Sequence, residues 1–225
     1  SIQIVNFHDC KGDARSHLLN LGLQHCRGRY LAFLDYDDVL YPEAYEMLIE
    51  ALDASGATIA FASVDLMFVE VHQGWIRTLR RIESPFQGKN LIDLFRNNFC
   101  PIHSFLIDRL TIQDPCNFLF DPDLTVEEDY DFLLQLCAKY PSDFACLSKK
   151  IGIYYFKSDS SNTNQVFSPR LTRSPVEIEW LAAMIEARRL TTTVSQRVLH
   201  QLPYSHKLPA DLTIRGLLDW IDELA

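Results

Sequence analysis

The sequence predicts an α/β protein with a mainly parallel sheet flanked by helices. Three observations carry this. Apolar runs and amphipathic segments alternate as strand, helix, strand, helix, strand over residues 2–63, the order that builds parallel layers. The second run, Tyr30-Leu31-Ala32-Phe33-Leu34, is apolar almost throughout, as a strand covered on both faces must be. With 225 residues, 48% hydrophobic and 23% charged, the chain has enough apolar surface for a sizeable core.

Each element has a local reason. Residues 2–5 are a short apolar run and read as a strand. Residues 13–26 place Ala14, Leu18 and Leu21 on one helical face, and Gly28 follows as a stop. In residues 42–55 Pro42 suits a first turn, Ala44, Tyr45, Leu48 and Leu52 form a stripe, and Gly56 ends the helix. Residues 58–63 read as a strand, and residues 66–71 and 75–81 flank His72-Gln73-Gly74 as a hairpin. A short helix is expected over 90–97 and a strand over 104–107. Residues 126–140 form a helix with an acidic first turn and Phe132, Leu133, Leu136 and Cys137 facing inward. A strand over 151–156 and a polar loop over 158–165 follow. Ser174-Pro175-Val176-Glu177 is a capping box opening a helix to about residue 190, and a last helix spans 213–224.

A net charge of −9 argues against a nucleic-acid partner held by a broad basic surface; Arg77, Arg80 and Arg81 form only a local basic patch. Six cysteines carry no C-x-x-C pair and read as reduced thiols. No apolar run reaches the ~18 residues of a membrane helix, and no basic-then-apolar leader is visible. The expected location is cytoplasmic, with room for peripheral membrane contact through the C-terminal segments.

The chemistry begins at "FLDYDDVL". Asp35 and Asp37 are two apart on a strand end, which puts them on one face roughly 6–7 Å apart. They can aim into the crevice beyond the carboxyl ends of the strands, where open α/β sheets bind ligands. Crowded carboxylates repel, and oxygen donors of this kind suit Mg²⁺ or Mn²⁺. A strand ending in solvated turn aspartates accounts for the same residues without a ligand.

Two families answer to this stretch. "FLDYDDVL" and "IAFAS" resemble the first two motifs of haloacid-dehalogenase-like phosphatases, which would make Asp35 a nucleophile and Asp37 an acid/base; their downstream G-D-x-x-x-D motif is missing. The longer run Asn20-Leu21-Gly22-Leu23, then "GRYLAFLDYDD" from Gly28, then Pro42, resembles the signature of family 2 glycosyltransferases. "FDPDLTVEEDYDFLLQL" from Phe120 resembles their F-D-x-x-L-x-x-x-E-D-Y-D segment, and "IGIYYFKSDSSNT" from Ile151 their later Y-x-x-R-x-H-x-x-S-x-S segment. The resemblance covers residues 2–165. It implies a GT-A-like, Rossmann-like domain over 1–165, with residues 166–225 a helical C-terminal extension. The family's first strands, with P-x-Y-N and D-D-G-S, find no match, so the chain is expected to begin at the family's third strand.

The resemblance also implies a function. A sugar would move, with inversion, from a nucleotide-diphosphate sugar to the hydroxyl of a glycan, lipid-linked or protein acceptor. Asp129 is implied as general base, with Glu128 beside it. Asn20, Asp35, Asp37, Asp38 and Lys157 are implied as donor-binding. Asp35, Asp37 and Asp159 are implied as ligands of Mn²⁺ or Mg²⁺, with Asp159 and Lys157 standing where the family has a histidine and an arginine. The family's arginine before the asparagine is Leu19 here, and Arg15 lies one turn earlier. On the residues alone, Glu127, Glu128, Asp129 and Asp131 also suit an ordinary helix start, where acids meet the positive end of the dipole. Trp75 with Arg77, and residues 100–104 including His103, read either as acceptor-side groups or as packing. A non-catalytic sugar- or partner-binding domain stays open as a third reading.

Overall fold

The computed structural model describes residues 3–5, 13–83, 85–113, 118–157, 174–203 and 205–224. Six strands form one sheet: β1 Tyr30–Leu31, β2 Val39–Leu40, β3 Ile59–His72, β4 Trp75–Ile82, β5 Phe105–Asp108 and β6 Ser142–Lys157, in the order β1-β5-β3-β6-β2 with β4 on β3. Seven α-helices accompany them among the described residues: α1 Arg15–His25, α2 Ala44–Ser55, α3 Leu91–Arg96, α4 Glu128–Lys139, α5 Pro175–Thr191, α6 Gln196–Leu199 and α7 Ile214–Asp222.

The α/β class is as expected, and the sheet is mixed. Its central and longest ladder, β3 with β6, is parallel. The pairs β1–β5, β2–β6, β3–β4 and β3–β5 are antiparallel. The hairpin reverses the chain, and β5 returns against β3 without a crossover of its own.

Alternation along the central strands divides the core. Ile59, Phe61, Phe105 and Ile107 face one way and pack with Leu94, Phe95, Leu133 and Leu136 of α3 and α4. Ala60, Ala62, Val64 and Leu106 face the other way and pack with Ala44, Leu48 and Leu52 of α2. This period of two is the pleat itself. Gly56 caps α2 in the left-handed region at φ 65°, a conformation that costs glycine little. Ile185, Val198, Ile214 and Leu217 from the C-terminal helices join the α3/α4 cluster.

Several boundaries differ from the sequence expectation. Residues 3–5 lie in no strand. β3 runs unbroken through Asp65, a charge that reads as a break in sequence. Asp65 is fully buried, but Arg81 bonds it and Lys150 reaches it at 2.6 Å. Burial opposes its ionisation, and these two partners outweigh burial and hold its carboxyl below the usual range. β6 begins nine residues before the expected strand, at Ser142 rather than Ile151; the polar run Ser148-Lys149-Lys150 hides it, where the ladder steps from Ala62↔Cys146 to Ser63↔Lys150. The capping box at Ser174 and Glu177 forms as read.

Candidate active site

β1 is short, and the chain beyond it continues unpaired to Asp35. A turn closes there, with Asp38 N–H donating to Asp35 C=O at 3.2 Å. β2 follows at once and pairs Leu40 with Gly152 of β6. A Cβ on Gly152 would stand 2.3 Å from the Val39 carbonyl, so only glycine lets β2 lie this close. The acidic turn is thereby held between β1 and β6.

Single carboxylate oxygens of Asp35, Asp37 and Asp38 lie within 4.8 Å of one another. Asp38 is buried; its Oδ1 accepts from Tyr155 N–H at 2.9 Å. Its Oδ2 sits 3.1 Å from His103 Nδ1, outside hydrogen-bond geometry, since both atoms lack a hydrogen-bond partner. The His103 ring, 1% exposed, stacks on Tyr154 at 6.0 Å. Asp37 pairs with Lys157 Nζ at 2.7 Å. Burial, then the charges of Asp38 and Asp37, push the Asp35 carboxyl upward against the pull of Arg15 and His103. Three hard oxygen donors, crowded and incompletely neutralised, fit a divalent cation. Asp159 lies outside the described residues.

α4 brings the second acidic group. Phe33, two residues before Asp35, meets Phe120 at 5.3 Å and Phe132 at 6.1 Å, and Phe120 stacks on Phe132 at 4.5 Å. This aromatic cluster ties the strand end to the helix that starts at Glu128. From the other side α1 grips the approach to α4. Asn20 donates to the Phe120 carbonyl and accepts from its N–H, both at 2.8 Å. Ser16 Oγ donates to the Leu124 carbonyl at 3.1 Å. Arg15 reaches the Thr125 carbonyl at 3.3 Å and Glu128 Oε1 at 2.9 Å.

The sequence expectations divide here. Asn20, expected on the donor, gives one amide N–H and one carbonyl lone pair to the Phe120 backbone, and its amide keeps a second of each. Arg15, set aside by the motif comparison, stands within the field of Asp35 as well as Glu128. Its signal in sequence was its place one helical turn from the motif position. His103, read as an acceptor-side or packing group, lies under the acidic turn; nothing local in the sequence pairs it with Asp38.

Asp129 Oδ1 accepts from its neighbour's N–H, that of Tyr130, at 2.7 Å and from Asn98 Nδ2 at 3.3 Å. Asn98 Nδ2 also reaches Glu127 Oε2 at 3.0 Å. Glu127 stands in the left-handed region at φ 61°, a conformation that costs a non-glycine residue of order 1–3 kcal/mol. Burial, then the charges of Glu128 and Glu127, raise the Asp129 carboxyl well above the usual range, opposed by the Tyr130 N–H; Asp35 adds to the rise. Burial also raises Glu128, against the pull of Arg15. The hydroxyl of Tyr154, pushed up chiefly by burial, feels Asp38, Asp129, Asp35 and Asp37 together. Strand-end and helix-start acids, distant in sequence, thus share one electrostatic site.

The fold is that of a GT-A-like glycosyltransferase. It is similar to residues 1–349 of S. aureus TarS, solved in complex with UDP-GlcNAc, at a TM-score of 0.51 and 13% identity over 80% of this chain and 50% of that one. In sequence, residues 9–112 match the family described as "Glycosyl transferase family 2". The chain is also 28% identical over 168 residues to succinoglycan biosynthesis protein ExoO of Rhizobium meliloti (strain 1021), covering 61% of this chain and 48% of ExoO. The chain spans about half the length of the relatives it matches. Among the described residues no helix is long and apolar enough to cross a membrane.

Proposed function

We propose that the chain transfers a sugar, with inversion, from a nucleotide-diphosphate sugar to an acceptor hydroxyl, using Mn²⁺ or Mg²⁺. One observation carries this reading: Asp129 is the most strongly raised carboxyl of the site, by burial first and then by Glu128 and Glu127, and the charge of Asp35, from a different element, adds to that rise. A poorly acidic carboxyl is a better base near neutral pH. Asp129 accepts the acceptor's proton as the hydroxyl attacks the anomeric carbon. Asp35 and Asp37 would hold the cation, which would supply positive charge for the departing diphosphate; Asp159 keeps a ligand's role on the resemblance alone. Lys157 stands beside Asp37 and would pair with the diphosphate. Glu128, pinned by Arg15, positions the helix start, and Asp38, turned onto Tyr155 and His103, holds the turn. Asn20, which holds the Phe120 backbone, keeps a donor-binding role on the resemblance alone. The helices after residue 165 form an extension that packs on α3 and α4.

The four described cysteines are free, which supports a reducing, cytoplasmic setting. TarS was solved with UDP-GlcNAc, so uridine diphosphate sugars head the donor panel. The phosphatase reading would need Asp35 as nucleophile, and its raised carboxyl between two other acids does not favour that.

The test is Asp129→Asn, with nucleoside diphosphate release and donor affinity measured across a panel of nucleotide sugars with Mn²⁺. The amide keeps size and hydrogen bonding but cannot take the proton. Turnover should fall about 10²–10⁴-fold with donor affinity little changed. Near-normal turnover removes Asp129 from the mechanism.

A further inference from the structure

Lys157 closes β6 and reaches back over the acidic turn. Its Nζ lies 2.7 Å from Asp37 Oδ2, 3.3 Å from the Tyr36 hydroxyl and 4.8 Å from the centroid of the Tyr36 ring. Tyr36 is 92% exposed, so its ring packs little and serves as a shelf for the lysine. The carboxylate that Lys157 holds belongs, with those of Asp35 and Asp38, to the set of donor oxygens within 4.8 Å of one another. Arg15 and His103 only oppose the rise of Asp35, whereas Lys157 pairs directly with Asp37.

Two cations cannot share this place cheaply. A divalent ion on Asp37 would sit a few ångströms from the ammonium, and like charges at that distance repel strongly in a half-buried site. An ammonium on a flexible four-carbon stem can move without disturbing the backbone. We propose that Lys157 is a resident counter-ion that trades places: it neutralises Asp37 in the empty site, leaves Asp37 when the divalent cation loads, and then pairs with the donor's diphosphate. The inference rests on the metal-dependent reading above and adds an order to it, since release of Lys157 readies the site for the diphosphate.

One substitution should move two affinities in opposite directions. Lys157→Met keeps the stem and removes the charge. Mn²⁺ binding, with the metal alone and followed by the free-ion electron paramagnetic resonance signal, should tighten roughly tenfold. At saturating Mn²⁺, the nucleoside diphosphate that wild type binds best from a panel of UDP, GDP, ADP and TDP should bind roughly tenfold more weakly. Lys157→Arg should stay near wild type in both. General damage to the site would weaken both affinities, and a circular dichroism spectrum guards against unfolding; Lys157→Gln serves if the Met variant fails to fold. Unchanged or weaker Mn²⁺ binding by the Met variant, with Mn²⁺ still bound by wild type, overturns the inference and leaves the transferase reading standing. Tighter Mn²⁺ binding with unchanged diphosphate affinity overturns the transfer to the diphosphate. No Mn²⁺ binding by wild type or variant overturns the metal reading and this inference together.

Discussion

At Asp129 burial and two neighbouring carboxylates act in the same direction, and two consequences have definite signs. The base must be ionised to work, so turnover should rise with pH as Asp129 loses its proton, and the rise should vanish in Asp129→Asn; a pH profile of turnover checks this. A carboxyl raised in the folded state lends stability that is full below its unfolded pKa, near 3.9, and is lost as pH climbs through the folded value. Asp129→Asn should therefore melt with wild type near pH 4 and above it at pH 8, by about 3 °C, read by thermal scans at both pH values. Asn98 is the other sensitive residue. It donates to Glu127 and Asp129 and accepts from Cys100 N–H at 3.2 Å. Asn98→Ala should cost about 1–2 kcal/mol in urea unfolding and lower turnover by loosening Asp129.

Among the elements, α4 is held from two sides, by α1 through Arg15, Ser16 and Asn20 and by α5 through two arginines. Arg188 Nε meets Asp131 Oδ1 at 2.6 Å and Nη2 meets Oδ2 at 3.1 Å. Arg189 bonds the carbonyls of Phe95 at 2.9 Å and Arg96 at 2.7 Å and the Tyr130 hydroxyl at 3.0 Å. Asp131 is 2% exposed, so losing its partner leaves a charge with little solvent. Arg188→Ala should cost about 2–3 kcal/mol, whereas Arg197→Ala on the short α6 should stay within about 0.5 kcal/mol; chemical denaturation of both variants decides. Gly152→Ala tests the other wall. The added methyl would strike the Val39 carbonyl, so β2 should part from β6 and carry the acidic turn with it. Mn²⁺ affinity should drop while α2, on the far face of the sheet, keeps its helix.

For the molecule as a whole, the acidic centre joins segments from both ends of the sheet and from α4. A cation bound there should stabilise the entire fold. At a free Mn²⁺ concentration of 100 times its dissociation constant the gain is about 2.7 kcal/mol, or a rise on the order of 5–10 °C in Tm for a chain of this size. Asp37→Ala should abolish that rise and the metal-dependent binding of nucleoside diphosphate. A full Mn²⁺ response in Asp37→Ala would place the cation elsewhere.

The local code was plain where one element suffices to express it. The stripe of α2 with Gly56 behind it, the inward face of α4, the hairpin at His72-Gln73-Gly74 and the capping box at Ser174 depend on periodicity and on single-residue preferences, and these act over a few residues. The motifs also named Asp35, Asp37 and Asp129, because side-chain chemistry at a strand end or a helix start is visible in a linear string. Only the tertiary structure decided the rest. The continuity of β3 through Asp65 depends on Arg81 and Lys150 from two other strands. The antiparallel return of β5 depends on the stretch Ile59–Phe61 of β3, which lies on the same edge that β4 pairs from Leu66 onward. The clamp of Asn20 on Phe120 depends on a backbone segment far along the chain that offers it both a donor and an acceptor. Arg15 and His103 entered the site because folding set them against Glu128 and Asp38, and no spacing along the chain encodes a charge contact made across the sheet.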